Sequence, residues 1–158
     1  MQLDGKMEIK KAIYEDLAEI LSLQKLAYQS EAKLLNDYTI QPLTQTLIEL
    51  QNEFNKYSTG VILKLINEGN NQIVGSVRAH EENNRVYIGK LIVHPNFQNR
   101  GFGTKLLNTI ETYFENKTFE LFTSSKSEKN LSLYKKNGYK EYKREKAGNN
   151  FEFVFLEK

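Results

Sequence analysis

The chain has 158 residues, 39% of them hydrophobic and 27% charged, and its 22 basic residues against 20 acidic ones leave a net charge of +2. That size and balance suit one globular domain over residues 1–158, and the lack of a basic excess argues against a nucleic-acid partner. With no cysteine, and His80 and His94 as its only histidines, the chain excludes disulfides, thiolate nucleophiles and cysteine-ligated zinc, and no metal is expected.

No apolar run nears the roughly 20 residues that cross a bilayer. The longest, Val61 to Ile66, is interrupted by Lys64. Met1-Gln2-Leu3-Asp4-Gly5 lacks the apolar core of a secretory signal, so the expectation is a cytoplasmic protein with no membrane partner.

Met7 to Ile13 alternates and reads as a first strand. From Asp16, the spacing of Leu17, Ile20, Leu21 and Ala27 predicts a helix. Periodicity fails from Gln29 to Gln41. Pro42 suits the first position of a second helix carrying Leu43, Leu47, Leu50 and Phe54. Val61 to Ile66, Ile73 to His80 and Arg85 to Val93 read as an antiparallel meander, with Asn83-Asn84 as a tight turn. Pro95 stops the third of these strands. A helix is predicted from Thr104 to Glu115, then a strand from Thr118 to Thr123. Ser127 suits the cap of a short helix ending at Gly138. Tyr139 to Arg144 and Phe151 to Leu156 close the chain as two strands, with Phe151, Phe153 and Phe155 on one face. The order predicts an α+β or mixed α/β domain around one sheet.

The segment with chemical content runs from Leu91 to Thr104. A strand ends at Val93-His94-Pro95, a loop turns through Gln98-Asn99-Arg100-Gly101-Phe102-Gly103, and a helix begins. Helix starts leave backbone N–H groups unpaired at the positive end of the dipole, and glycines let a phosphate come close to them. A Rossmann fingerprint requires a third glycine where Leu106 stands, and a P-loop requires a Gly-Lys-Ser/Thr that is absent.

The remaining pattern, Gln98 with Gly101 and Gly103 behind a Val-His-Pro strand end, resembles the cofactor motif of the GCN5-related N-acetyltransferase (GNAT) superfamily. Asn130 to Tyr139, with Asn130, Tyr134 and Gly138-Tyr139, resembles the family's second motif, and the element order is similar from about residue 7 onward. The resemblance implies a GNAT-type acyl-CoA N-acyltransferase fold, a central twisted, mostly antiparallel sheet of about seven strands flanked by about four helices.

It further implies that acetyl-CoA is the co-substrate. Leu91, Ile92 and Val93 would pair with its pantetheine arm in a gap between the fourth and fifth strands. The amides of Gln98, Asn99, Arg100, Gly101, Phe102, Gly103 and Thr104 would hold the pyrophosphate, with charge added by Arg100 or Lys105. Asn130 would bind the pantetheine amide, and Tyr134 would be the general acid that protonates the departing thiolate. The acceptor would be a primary amine of a small molecule or peptide. The glutamate that many relatives carry on the fourth strand has no counterpart in Arg85 to Lys90, which leaves water, Glu31 or Asp37 as base. Leu91 and Phe122 together would set the depth available to the acyl chain. A non-catalytic acetyl-CoA-binding module and a plain protein-interaction domain are the competing readings. The phenylalanine-rich last strand suits either core packing or a homodimer interface.

Overall fold

The computed structural model describes residues 5–158. The residues Met1 to Asp4, read above as lacking a signal core, lie outside the described part. Seven strands form one sheet in the order β1-β2-β3-β4-β5-β7-β6. They are β1 (Met7–Lys11), β2 (Val61–Asn67), β3 (Gln72–Glu82), β4 (Arg85–Val93), β5 (Thr118–Ser124), β6 (Lys140–Lys146) and β7 (Glu152–Glu157). All neighbours are antiparallel except β4 and β5. The meander is as predicted, and its second turn is dictated by Asn83 and Asn84, whose φ values of 52° and 65° only a few residue types adopt readily.

Helices α1 (Leu17–Ala27) and α4 (Leu47–Lys56) cover one face of the sheet. Their Leu17, Ile20, Leu21, Leu23 and Leu50 pack with Ile62, Ile73 and Ile92. Helices α5 (Phe102–Glu111) and α6 (Glu128–Lys136) cover the other face, where Leu106, Leu107, Ile110 and Tyr134 meet Leu63, Val77, Val86, Ile88, Leu121, Val154 and Leu156. With both faces covered, β2 is almost wholly buried, as its uninterrupted apolar run requires. Gly75 lets α5 sit close: a Cβ there would stand 3.0 Å from Leu106 Cδ1 and 3.2 Å from the Ile92 carbonyl oxygen.

Several boundaries differ from the expectation. The first strand ends at Lys11. The segment that lacks periodicity contains α2 (Gln29–Leu35), closed by Asn36 in the left-handed region at φ 52°. Pro42 starts only one turn, α3 (Gln41–Thr44). The long helix begins at Leu47 because Thr46 and Glu49 form a capping box, with bonds of 3.1 and 2.8 Å to each other's amides. The helix expected over Thr104 to Glu115 lies two residues earlier at its start and stops at Glu111. Thus α1, α4, α5 and α6 are the four expected helices, and α2 and α3 are short additions.

The last strand alternates in the opposite sense to a core of phenylalanines. Val154 and Leu156 are buried, whereas Phe153 and Phe155 stand on the other face beside Phe122, at ring separations of 5.0 and 5.3 Å. Phe122 is 53% exposed there, while Leu91 packs against the α5–α6 core, so the two do not line one acyl pocket.

Candidate active site

Strands β4 and β5 pair only from Arg85 to Tyr87, against Thr118 to Glu120. Beyond Tyr87 the two diverge, and Leu91, Ile92 and Val93 border the opening. A bulge accompanies the divergence. Arg78 of β3 faces Gly89 and Ser76 faces Ile92, which leaves Lys90 and Leu91 together opposite Val77. Lys90 takes up the extra residue in the left-handed region, at φ 51°.

The strand leads into a tight turn over Pro95–Phe97. His94 has a local role here, its Nδ1 accepting the Asn96 amide at 3.0 Å. Gln98 folds back: its Nε2 donates to the Val93 carbonyl at 3.0 Å and its Oε1 accepts Lys129 Nζ at 3.1 Å. Its side chain therefore braces the loop, which leaves the main chain free to face a ligand. Asn99 and Gly101 both have positive φ, 62° and 84°, between an extended Gln98 and the helical Phe102, and left-handed residues of this kind are used in anion-binding nests. Gly101 is the N-cap of α5 and has no side chain to cap it. Among the described residues, the amides of Phe102, Gly103 and Thr104 donate to no protein acceptor. Arg100 lies over the Phe97 ring at 5.2 Å and donates to the Asn96 carbonyl at 3.2 Å.

Across the opening, Asn130 Nδ2 donates to Thr123 Oγ1 at 3.3 Å and fastens α6 to β5. The Tyr134 ring belongs to the α5–α6 core, 6.1 Å from the Tyr139 ring. Its hydroxyl has no hydrogen-bond partner among the described residues, although the residue is only 7% exposed. Burial raises its pKa well above the ordinary tyrosine value, and the neighbouring Tyr28 and Glu31 add to the effect. Tyr28 packs against the opposite core, under α1 and α4, and burial lifts its own hydroxyl to about 12. Tyr134 therefore reaches from one layer of the fold toward the other at the place where the sheet parts.

Of the two carboxylates considered as bases, Asp37 is exposed and committed to Thr39, through its amide at 2.8 Å and its hydroxyl at 2.6 Å. These bonds lower its pKa. Glu31, on α2, lies among Tyr28, Tyr134 and Ser127. Burial raises its carboxyl and the Ser127 hydroxyl holds it down. Ser127 thus occupies the N-cap position of α6 but, contrary to expectation, makes no capping bond with its side chain. The sequence reading missed Tyr28, Lys90 and Arg78, because a bulge and a contact between distant helices leave no local pattern. No cluster of three metal-ligating side chains occurs among the described residues, and no helix there is long and apolar enough to cross a membrane.

The Acetyltransferase (GNAT) family matches residues 17–139, which contain the divergent strands, the glycine loop and Tyr134. The chain belongs to this family. Solved GNAT folds superpose over nearly all of it. A GNAT acetyltransferase from Staphylococcus aureus Mu50 is 22% identical at a TM-score of 0.77, covering 97% of this chain and 98% of its own. The PaiA N-acetyltransferase of Thermoplasma acidophilum, in complex with coenzyme A, is 17% identical at 0.74, with coverages of 95% and 98%. A phosphinothricin acetyltransferase from Sinorhizobium meliloti, in complex with AcCoA, is 16% identical at 0.74, with coverages of 96% and 87%. No curated protein sequence matches. This GNAT chain shares with those structures the seven-stranded mixed sheet between helical layers.

Proposed function

We propose that this GNAT protein is a cytoplasmic N-acetyltransferase that moves an acetyl group from acetyl-CoA to a primary amine of a small molecule or peptide. The observation that carries the reading is the unpartnered Tyr134 hydroxyl on α6, together with a helix start whose first three amides lack protein acceptors. The Tyr134 hydroxyl and the amides of the half-buried helix start are donors left open to a ligand, and these fit the groups of an acyl thioester with a diphosphate. The amides from Gln98 to Thr104 would hold the diphosphate, with the α5 dipole behind them. The free edge of Leu91, Ile92 and Val93 would hold the pantetheine arm, with Asn130 at its rim. One N–H of that edge, directed at the acetyl oxygen, would be worth about 3–4 kcal/mol of barrier.

Acetyl-CoA supplies the acyl group as a thioester: the amine nitrogen bonds to the carbonyl carbon, the carbon–sulfur bond breaks, and the amine loses its protons. Tyr134 would donate a proton to the sulfur, its hydroxyl being neutral and so carrying that proton at physiological pH. Glu31 is the carboxylate placed to draw an ammonium toward Tyr134. Both substrates would have to be bound together, which itself can contribute roughly 7–11 kcal/mol through positioning. Calorimetry with coenzyme A, followed by a panel of polyamines, amino acids, aminoglycosides and peptides assayed for coenzyme A release, tests the reading. Micromolar binding and turnover of at least one amine are expected; no binding at millimolar coenzyme A overturns it.

A further inference from the structure

The proposed reaction requires a group that removes a proton from the incoming ammonium, and the carboxylates near the sheet are engaged elsewhere. Glu81 pairs with Lys117 at 2.9 Å, Glu82 with His80 at 3.6 Å and Glu53 with Arg78 at 3.1 Å. Asp37 is held by Thr39, and Glu31 lies beside Tyr28 and Tyr134, where its charge would draw the ammonium in. The bulge in β4 offers a different group. Val86 and Ile88 point into the α5–α6 core, Leu91 returns to it, and Ile92 joins the α1–α4 core. The extra residue is therefore Lys90, and its electrostatic neighbours, Arg78 from β3 and Glu53 from α4, put its amine on the α1–α4 side. Beside it Gly89 opens the same face: a Cβ there would meet no atom within 4 Å.

Arg78 is committed on all three of its nitrogens, with bonds to Gln24 at 2.9 Å, Gln45 at 3.0 Å and Glu53 at 3.1 Å. Lys90 differs, since among the described residues its amine makes no ion pair and no hydrogen bond. It is half-buried, one residue from the strand edge assigned to the thioester. Burial first, and the Arg78 charge second, lower its pKa to about 8 against the pull of Glu53.

On the reading of this protein as an N-acetyltransferase, we propose that Lys90 is the general base. Its neutral amine takes one proton from the acceptor ammonium and later releases it to water. The freed amine nitrogen forms the bond to the acetyl carbon. Tyr134 gives its proton to the sulfur and recovers the second proton of the amine, so that one amide, one thiol and one solvent proton result.

The test compares wild type, K90M and K90R for kcat/KM against pH with the best acceptor, alongside coenzyme A calorimetry and thermal melts that establish folding. In the wild type, kcat/KM should rise with pH to a plateau above about 8. Both variants should lose about 100-fold or more at pH 7.5 and lose that inflection, because arginine keeps the charge but cannot give up its proton. Partial rescue of K90M by imidazole is expected. Retention of activity in K90R with a raised acceptor KM in K90M would make Lys90 an anchor for an anionic acceptor and overturn the proposal. An unchanged profile in K90M overturns it as well, and leaves the transfer reading intact. Coenzyme A binding without release from any amine by the wild type overturns both.

Discussion

The side-chain amide of Gln98 donates to the main-chain carbonyl of Val93 at 3.0 Å, tying the first residue of the glycine loop to the last residue of β4. Two parts of one candidate binding surface, the open strand edge and the uncapped helix start, are thereby held at a fixed distance. Q98A removes this brace and leaves Lys129 without its partner on the same side chain. A hydrogen bond of this kind contributes about 0.5–1.5 kcal/mol. The coenzyme A dissociation constant should rise by up to roughly 12-fold by calorimetry, and the melting temperature should fall by about 1–6 °C because the bond is also present in the free protein.

Tyr134 allows a sharper separation of binding from chemistry. Y134F removes only the hydroxyl, which has no protein partner, so stability should stay within about 0.5 kcal/mol of wild type or improve. Coenzyme A affinity should be retained while kcat falls by about 100-fold or more. Unaltered turnover in Y134F would remove the acid role and favour a different proton donor.

How far these features could be read from sequence depends on the range of the interaction that creates them. The Gln98–Gly103 loop and Tyr134 lie in short, locally spaced motifs, and the meander is set by strand alternation and by Asn83-Asn84. The element order was legible for the same reason. Helix starts were misjudged where capping outweighed a proline: Pro42 was the stronger local signal, yet Thr46 and Glu49 set the boundary. The alternation of β7 puts its phenylalanines on one face without saying which layer that face meets, and only pairing with β5 shows that Val154 and Leu156 face α5 and α6. Lys90 was invisible because its position depends on a register shift between two strands, which no single strand's pattern encodes.

Gly101 gives a stability prediction that is independent of any ligand. A methyl group there meets nothing within 4 Å, so G101A has no clash to relieve. The cost comes from φ 84°, where an L-residue is disfavoured by about 1–2 kcal/mol. A chain of this size should lose roughly 2–8 °C in melting temperature. An unchanged melting temperature would mean that the loop adopts a different conformation.

The Arg78 fork holds α1, the Gln45 linker and α4 to β3 at once. R78M leaves the Gln24 carbonyl oxygen without its donor in a nearly sealed place, Arg78 itself being 7% exposed, and leaves Gln45 Oε1 with only the Gln24 amide and Glu53 with only the Gln45 amide at 3.5 Å. Breaking a buried charged network in this way costs about 3–5 kcal/mol, reduced here toward 2 because Glu53 reaches solvent. R78K should recover little, since one ammonium cannot satisfy three acceptors in a plane. Urea denaturation of the three proteins measures both differences.

Lys90 also makes a prediction that needs no substrate. Its amine titrates near 8 in the folded chain and near the ordinary 10.5 when unfolded. Below about pH 8 both states are protonated, and the folded protein bears the full cost of a half-buried, unpaired cation. Between about 8 and 10.5 the unfolded chain binds more protons than the folded one, so stability contributed at this site must rise with pH. K90M has no such proton to release. The wild type should therefore gain stability relative to K90M as pH is raised from 7.5 to 10, measured as the difference between their urea midpoints at each pH. Parallel curves would show that the Lys90 amine is fully solvated, and a wild type losing ground to K90M would mean that its charge is stabilised in the fold by a partner.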